Sequence, residues 1–244
     1  MKPVRIDRLL VDRELVPSRQ KAQALLMAGC VLVDDIPVTK PGKLVRPDAL
    51  VRIRGEDHPY VSRGGVKLAH ALKEFGCDIR GKICLDIGAS TGGFTDCLLQ
   101  HGASKVYALD VGYGQLATKI AKDPRVAVID RQNIRYLDLR QIPDVIEAVT
   151  ADVSFISLTL VLPVVDSLLS KGGIVITLIK PQFEVGRELV GKGGIVKDPS
   201  AHELAVEKVV QCAVKMGWIN RGITSSPIEG AKGNKEFLAL FIKK

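Results

Sequence analysis

The sequence predicts an α/β protein with two domains, a small α+β domain followed by a Rossmann-like domain with a mostly parallel seven-stranded sheet. After residue 62, apolar runs of strand length alternate with helical patterns, and strands are expected near 83–87, 105–110, 126–130, 148–152, 174–180, 219–225 and 236–242. A glycine-rich loop follows the first of these strands directly. Only a loop separates the last two strands, which predicts an antiparallel pair at the end of the sheet.

The small domain is predicted to span residues 1–54. Its helices are expected at 5–13 and 19–27, with Ser18 capping the second helix and Gly29 ending it. Short strands at 31–33, 36–38 and 49–53 are expected to form a small sheet. Residues 55–61 contain glycine, proline and several charges, which indicates a linker, and the second domain is expected to span 62–244.

Composition and charge narrow the class of protein. Of the 244 residues, 46% are hydrophobic and 25% are charged, which is typical of a folded globular chain and not of a disordered one. The net charge of +8 suits a polyanionic partner such as RNA, although it also suits many proteins without one. The five cysteines show no metal-ligand spacing, so reduced thiols and no metal site are expected.

The start of the chain and its apolar segments argue against export and membrane insertion. No apolar stretch follows the charged residues after Met1, so no secretory signal is expected. The most apolar segment, 156–165, is much shorter than the roughly 20 residues that span a bilayer. We therefore expect a cytoplasmic protein without a transmembrane helix.

The glycine-rich loop stands where a Rossmann-like domain binds a nucleotide. It consists of Gly88, Ala89, Ser90, Thr91, Gly92 and Gly93, and a helix is expected at 94–100. Glycines let the backbone approach a ligand closely, and the amides of the following helix N-terminus point at it. Ser90 stands where a dinucleotide-binding G-x-G-x-x-G motif has its second glycine, so that fingerprint is not met.

Aspartates end three consecutive predicted strands, at Asp110, Asp130 and Asp152. Parallel strands bring these ends to one edge of the sheet, where ligands bind in such folds. Asp110 is the candidate to accept the ribose hydroxyls of a nucleoside cofactor, while an ordinary polar loop residue is the alternative for each aspartate. Asp86 precedes the glycines and is expected to orient the loop.

Four longer motifs together resemble one family. They are GASTGGFT at 88–95, DVGYGQL at 110–116, ADVSFISL at 151–158 and KPQFE at 180–184. In this order they are similar to the TlyA family of rRNA methyltransferases, some of which carry a haemolysin name and whose catalytic domain is FtsJ-like. The resemblance covers nearly the whole chain, because residues 5–52 resemble the small RNA-binding domain first seen in ribosomal protein S-four.

The resemblance implies S-adenosylmethionine as methyl donor and a cytidine ribose of rRNA, within a folded subunit, as acceptor. It also implies a Lys-Asp-Lys-Glu catalytic tetrad, which the matching motifs place at Lys67, Asp152, Lys180 and Glu236. The chain ends at Lys244, directly after its last strand, as in the shorter members restricted to large-subunit rRNA. Large-subunit rRNA is therefore the expected substrate.

Methylation of a ribose hydroxyl requires the removal of a proton from a weak acid. We expect Lys180 to accept this proton, with the nearby Lys67 lowering its pKa, while Asp152 and Glu236 orient the lysines and the ribose. A purely positioning role for a permanently charged Lys180 stays open. Without the resemblance, Lys67 would be interpreted as a solvated helix lysine and Glu236 as a polar strand residue.

Further contacts are expected around this centre. The cofactor is predicted to touch Phe94, Val111, Asp130, Arg131 and Asn133 as well as the glycine loop and Asp110, although Arg131 suits a surface ion pair equally well. Residues 186–194 contain four glycines, which predicts either a mobile loop that closes over RNA or a plain flexible connection. By charge alone, the basic residues of the small domain would be interpreted as a solvated face. The resemblance implies RNA contacts instead, and these are predicted at Arg5, Arg19, Lys21, Lys40 and Arg63.

Three other functions are alternatives, and the sequence disfavours each of them. A methyltransferase acting on a base amine needs a Pro-Pro-aromatic turn after the fourth strand, and Asp152-Val153-Ser154-Phe155 lacks both prolines. A membrane-active haemolysin is disfavoured by the missing signal and membrane segment. A non-catalytic rRNA-binding assembly factor would not need the four tetrad residues.

Overall fold

The structure, a computed structural model, describes residues 3–53 and 58–244. The chain divides into two compact units, Met1–Asp57 and His58–Lys244. Residues 55–57 of the predicted linker lie outside the described residues. Residues 58–61 belong to the second unit, where the Val61 N–H donates to Asp96 at 2.8 Å and the Pro59 carbonyl accepts from Gln100 at 3.0 Å.

The first unit packs two helices against short strands. The elements are β1 (Val4–Arg5), α1 (Ile6–Asp12), α2 (Arg19–Met27), β2 (Val31–Val33), β3 (Ile36–Pro37), β4 (Leu44–Val45) and β5 (Val51–Ile53). As predicted, the Ser18 hydroxyl caps α2 by accepting from the Lys21 N–H, at 3.2 Å. Asp34 and Asp35 both have positive φ, as a two-residue hairpin turn between β2 and β3 requires.

Strands β3, β2 and β5 form one antiparallel sheet, and β1 pairs with β4 in a second. The pair of β1 and β4 was not predicted, because strands of two residues are too short to show an alternating pattern. The core of this unit is aliphatic and includes Ile6, Leu10 and Leu26, all fully buried.

The second unit has the predicted Rossmann-like architecture. Its helices are α3 (Gly64–Glu74), α4 (Gly93–Gln100), α5 (Thr118–Ala121), α6 (Leu162–Leu168), α7 (Pro181–Glu184) and α8 (Pro199–Lys215). Its strands are β6 (Ile83–Ile87), β7 (Lys105–Leu109), β8 (Val126–Ile129), β9 (Ile146–Ala151), β10 (Leu169–Ile179), β11 (Ile219–Ser225) and β12 (Phe237–Ile242). The seven-stranded sheet of the prediction is thus confirmed.

The strand order is β11-β12-β10-β9-β6-β7-β8. Strands β6, β7, β8, β9 and β10 are parallel, and β12 runs antiparallel to both of its neighbours, β10 and β11. The chain runs outward from β6 to β8 and then returns to the other side of β6 at β9. The crevice between β6 and β9 is therefore the topological switch point, where ligands bind at the carboxyl ends of the strands.

Both faces of the sheet are covered by helices, as the alternation of side chains along a strand requires. Within β6, Leu85 and Ile87 pack in the core that contains α6 and α8, whereas Cys84 packs in the core that contains α3 and α4. Strand β10 begins five residues earlier than expected, because an irregularity between Leu169 and Ile174 adds a bulged segment to it.

Candidate active site

The strand register brings the predicted site residues to one edge of the sheet. Ile87 of β6 pairs with Leu109 of β7 and with Ala151 of β9. The residues that follow these positions, Gly88, Asp110 and Asp152, therefore leave the sheet side by side. Ile179 of β10 pairs with Phe237 of β12, which places Lys180 and Glu236 next to each other at the same edge.

Gly88 can only be a glycine at its position. Its φ is +83°, and a Cβ atom there would lie 2.4 Å from the carbonyl oxygen of Asp152. The loop then turns into α4 through Gly92, whose φ is +93°. Because no side chain caps this helix, the backbone N–H groups of its first turn stay available to a bound ligand.

The Asp110 carboxylate fastens the glycine loop. One oxygen accepts from the Ser90 N–H at 2.8 Å, and the other accepts from the Gly112 N–H at 2.7 Å. A carboxylate can accept about four hydrogen bonds, so acceptor capacity remains for a ligand. Asp110 lines a large cleft, and its two loop contacts fix its orientation there.

The cleft has a volume of about 990 Å³, at the upper end of the range of small-molecule sites. Of the predicted cofactor contacts, Gly88, Ser90, Asp110, Val111 and Asn133 line it. A smaller pocket of about 240 Å³ is lined by Ala89, Thr91, Gly93 and Phe94. Gly88, Ser90 and Asp152 border both cavities, so the two are adjacent.

Three predicted cofactor contacts lie in neither cavity wall. The structure gives Gly92 the role of N-cap of α4, and the Asp130 carboxylate accepts from the Gly114 N–H at 2.9 Å. Arg131 lies over the ring of Tyr113, 4.1 Å from its centroid. These residues lie in the loops beside the cleft and not in its wall. The prediction differed because the end of a strand fixes only the position of a side chain and not its direction.

The four predicted tetrad residues form two ion pairs. Lys67 Nζ of α3 lies 2.5 Å from Glu236 Oε2, and both side chains are buried. Lys180 Nζ lies 2.6 Å from Asp152 Oδ1 and also donates to the Ser154 hydroxyl at 2.9 Å. Each lysine is thus paired with its own carboxylate. The sequence predicted instead that the two lysines interact, with Lys67 lowering the pKa of Lys180.

Glu236 packs against Gly230, a position that has no room for a side chain. A Cβ atom on Gly230 would lie 2.0 Å from the Glu236 carboxylate. Asn234, which is also buried, accepts from the Val196 N–H at 3.1 Å and donates to the Gly194 carbonyl at 3.0 Å. Asn234 thus ties the glycine-containing loop 186–194 to the segment that presents Glu236.

Asp86, as expected, orients the loop from behind. It is fully buried and accepts from the hydroxyls of Thr95 at 2.7 Å and Thr150 at 2.9 Å, joining the first turn of α4 to β9. Burial raises the pKa of Asp86 to about 6, and the nearby Asp152 adds to this effect. The group therefore holds a proton near neutrality more readily than an ordinary aspartate.

Several residues that line the cleft were not predicted as site residues: Ser154, Phe155, Phe183, Arg135 and Arg187. Phe155 is 91% exposed, has a φ of +63°, and its ring lies 5.0 Å from that of Phe183. Buried Glu184 holds the same loop by accepting from the Ser157 hydroxyl at 2.5 Å and the Leu158 N–H at 2.7 Å. Their positions after the carboxyl ends of β8, β9 and β10 were the available signal.

The predicted RNA contacts are all at the surface. Arg5 and Arg19 are half-exposed, and each donates to the buried Asp7 at 2.9 Å, which lowers the pKa of that carboxyl well below its ordinary value, chiefly through the Arg5 hydrogen bonds. Lys21 and Lys40 are exposed. Arg63, in the second unit, is exposed and lines the smaller pocket.

The described parts of the chain lack two classes of feature. Within residues 3–53 and 58–244, no helix combines the length and apolarity needed to cross a membrane. The same residues contain no group of three or more His, Cys, Asp or Glu side chains arranged to hold a metal ion.

Comparisons with known proteins agree with this architecture. Residues 60–243 match the family described as FtsJ-like methyltransferase, and residues 4–51 match the S4 domain. The 16S/23S rRNA (cytidine-2'-O)-methyltransferase TlyA of Mycobacterium tuberculosis is 45% identical over 234 residues, which cover 96% of this chain and 87% of the relative.

Two further relatives carry a different name. Hemolysin A of Brachyspira hyodysenteriae is 45% identical over 244 residues, which cover 98% of this chain and 100% of the relative. The solved structure of a candidate hemolysin from Streptococcus thermophilus is 42% identical and superposes with a TM-score of 0.79, covering 100% of this chain and 90% of that one. Relatives that are 45% identical over nearly the whole of this chain thus carry both names.

Proposed function

This chain belongs to the FtsJ-like methyltransferase family, and on that premise we propose that it transfers a methyl group from S-adenosylmethionine to the ribose 2′-oxygen of a cytidine in ribosomal RNA. The observation that supports this most directly is the pair of lysine–carboxylate contacts, Lys67 with Glu236 and Lys180 with Asp152, beside the glycine loop. The substrate is taken from the relatives named for this reaction. Such a substrate places the enzyme in the cytoplasm.

The residues present suit the methyl donor. The backbone of 88–94 receives its methionine part, where Gly88 borders both cavities and presents no side chain to a ligand. Asp110 receives the ribose hydroxyls with its remaining acceptor capacity, and Asn133 borders the adenine end of the cleft. When bound, S-adenosylmethionine supplies an electrophilic methyl group.

The two ion pairs have different roles, one in orienting the acceptor ribose and the other in removing its proton. Lys67 is held by Glu236 and lines the smaller pocket, where its ammonium donates to the acceptor ribose and fixes the orientation of the 2′-hydroxyl. The proton of that hydroxyl passes to Nζ of Lys180 when this group is the neutral amine, which becomes the ammonium that pairs with Asp152. Asp152, which borders both cavities, lies 2.6 Å from Nζ of Lys180 and stabilises the positive charge that the lysine carries after the transfer.

The first unit supplies affinity for folded RNA. Arg5 and Arg19 converge on Asp7, so their guanidinium groups are fixed side by side at a half-exposed surface. With Lys21, Lys40 and Arg63 they contact phosphates. The sequence of residues 1–54 contains no Phe, Tyr or Trp for base stacking, which favours recognition of RNA shape and backbone, as in a large ribosomal subunit.

The test is to incubate the purified chain with labelled S-adenosylmethionine and with 16S rRNA, 23S rRNA and the two subunits in separate reactions. We expect label on one cytidine of the large-subunit rRNA, at the 2′-oxygen, which makes the adjacent phosphodiester resistant to alkali. Label on a base, or no label on any rRNA species, would contradict the proposal. A liposome-leakage assay with the same protein tests the activity in the name of the haemolysin relatives, and we expect no leakage.

A further inference from the structure

The arginines of the second unit fall into two groups by their electrostatic partners. Residues 58–244 contain eight arginines. Three of them pair with an aspartate two positions earlier in the chain: Arg80 with Asp78, Arg125 with Asp123 and Arg140 with Asp138. The other five have no carboxylate partner among the described residues: Arg63, Arg131, Arg135, Arg187 and Arg221.

Two of the uncompensated arginines, Arg135 and Arg187, line the large cleft. Arg135 follows β8 and Arg187 follows β10, strands on opposite sides of the switch point between β6 and β9. Both side chains are exposed. The cleft therefore carries a free positive charge from each side of the sheet.

Neither acidic residue of the cleft wall, Asp110 or Asp152, forms an ion pair with these arginines. Asp110 is engaged by two backbone N–H groups, and Asp152 is engaged by Lys180. Arg135 lies near the ring of Tyr136, with its guanidinium carbon 5.4 Å from the centroid, which orients the side chain but leaves its charge intact. Of the five arginines of this unit without a carboxylate partner among the described residues, Arg135 and Arg187 are the two that line the large cleft.

We propose that Arg135 and Arg187 bind the RNA phosphates on the two sides of the nucleotide whose ribose enters the site. This inference rests on the proposed function and adds to it the contacts that hold the acceptor strand in the catalytic unit. Arginine suits the role, because its planar fork donates two parallel hydrogen bonds to a phosphate. Phosphate contacts fix the register of a strand without reading its bases.

The experiment compares Arg135→Gln, Arg187→Gln and the double variant with the wild-type chain and with Arg80→Gln. Arg80 is a matched control, since it is equally a surface arginine but precedes β6, at the opposite edge of the sheet, and is paired with Asp78. Three quantities are measured for each protein: the affinity for large-subunit rRNA at several salt concentrations, the KM for that RNA, and the Kd for S-adenosylmethionine. A melting curve for each variant controls for folding.

For each cleft variant we expect the affinity for RNA to fall on the order of tenfold, as for the loss of one charge-assisted hydrogen bond. The slope of log affinity against log salt should decrease by about 0.7 to 0.9 per lost contact. The Kd for S-adenosylmethionine and the Arg80→Gln control should be unchanged. Unchanged RNA affinity and salt slope in the double variant would overturn the inference, and so would a loss confined to S-adenosylmethionine binding.

The proposed function and this inference can fail separately. If the wild-type chain transfers no methyl group to any rRNA, the proposed reaction is wrong, yet the RNA affinities still decide whether the two arginines contact RNA. If the wild-type chain is active and the double variant has the same KM for RNA, only the inference is wrong.

Discussion

Lys67 Nζ and Glu236 Oε2 lie 2.5 Å apart, although 169 positions separate the two residues in the chain. The pair joins α3 to the segment that leads into β12, and the two side chains are only 11% and 2% exposed. A buried carboxylate and a buried ammonium each need the other, because neither is solvated by water.

Removal of one partner should therefore cost more than removal of both. Glu236→Ala leaves the Lys67 ammonium buried without a counter-charge, and we expect a loss of about 3 to 5 kcal/mol in the free energy of unfolding. The double variant Lys67→Met, Glu236→Gln should lose clearly less. Urea unfolding followed by fluorescence of Trp218, which is buried in the second unit and is the one tryptophan of the sequence, measures both.

The control for this cycle is Arg140→Gln, which breaks the pair with Asp138 at a position where Arg140 is 89% exposed. Its effect should stay within about 0.5 kcal/mol, as is usual for exposed pairs. An effect of Glu236→Ala as small as that of Arg140→Gln would contradict the argument.

Lys180→Ala should abolish methyl transfer while binding of S-adenosylmethionine survives. The side chain contacts Asp152 and Ser154, and Lys180 is absent from the wall of the cofactor cleft. Loss of a proton acceptor typically lowers the rate by about 10² to 10⁴-fold. Single-turnover methyl transfer and calorimetric binding of S-adenosylmethionine measure the two effects.

The variant Lys180→Arg separates proton transfer from positioning. Arginine preserves the charge beside Asp152 but does not deprotonate in proteins. We expect this variant to be as inactive as Lys180→Ala. Substantial activity in Lys180→Arg would show that the residue acts through its charge and position alone.

Asp110→Ala should weaken binding of S-adenosylmethionine by about 10- to 100-fold, since it removes acceptors for a ligand and the fastening of the glycine loop at once. Its matched control is Asp130→Ala, which ends the next strand and holds only the Gly114 N–H. We expect the control to change the Kd by less than about threefold. Equal effects of the two substitutions would contradict the prediction that Asp110 binds S-adenosylmethionine and Asp130 does not.

The sequence predicted the sheet and the placement of the glycine loop well for physical reasons. Buried parallel strands are continuous apolar runs, and glycine loops with positive φ, as at Gly88 and Gly92, depend on a residue type that is visible in the sequence. The cap of α2 at Ser18 was predictable because a hydroxyl in that place satisfies a free N–H.

Side-chain direction and distant partners were not predictable from local patterns. Lys67 lies just off the apolar stripe of its helix, and only its long-range pairing with Glu236 explains why it is buried. The resemblance supplied both residues but not their pairing. Spacing and periodicity also gave no sign of two other features. One is Phe155, an exposed aromatic in a left-handed backbone conformation, and the other is the contact of Asp130 with the Gly114 N–H outside the cleft wall.

The pH dependence of stability should carry a contribution from Asp86. Its pKa is raised from an ordinary value of 3.8 to about 6 in the folded protein, chiefly by burial. Between these two values the folded state binds a proton that the unfolded state has released, so the stability falls as the pH rises from about 4 to about 6 and stays at the lower level above it. Below the unfolded pKa both states are protonated and the contribution is fully present.

Asp86→Asn removes this titration and keeps the contacts, because an amide can accept from one threonine hydroxyl and donate to the other. The unfolding free energy of the variant minus that of the wild type should therefore increase by about 1 to 2 kcal/mol from about pH 5 to about pH 7.5. The difference between the two proteins isolates Asp86, since the other groups titrate alike in both. Urea unfolding of both proteins at the two pH values measures it, and a difference that is the same at both would show that Asp86 is ionised throughout.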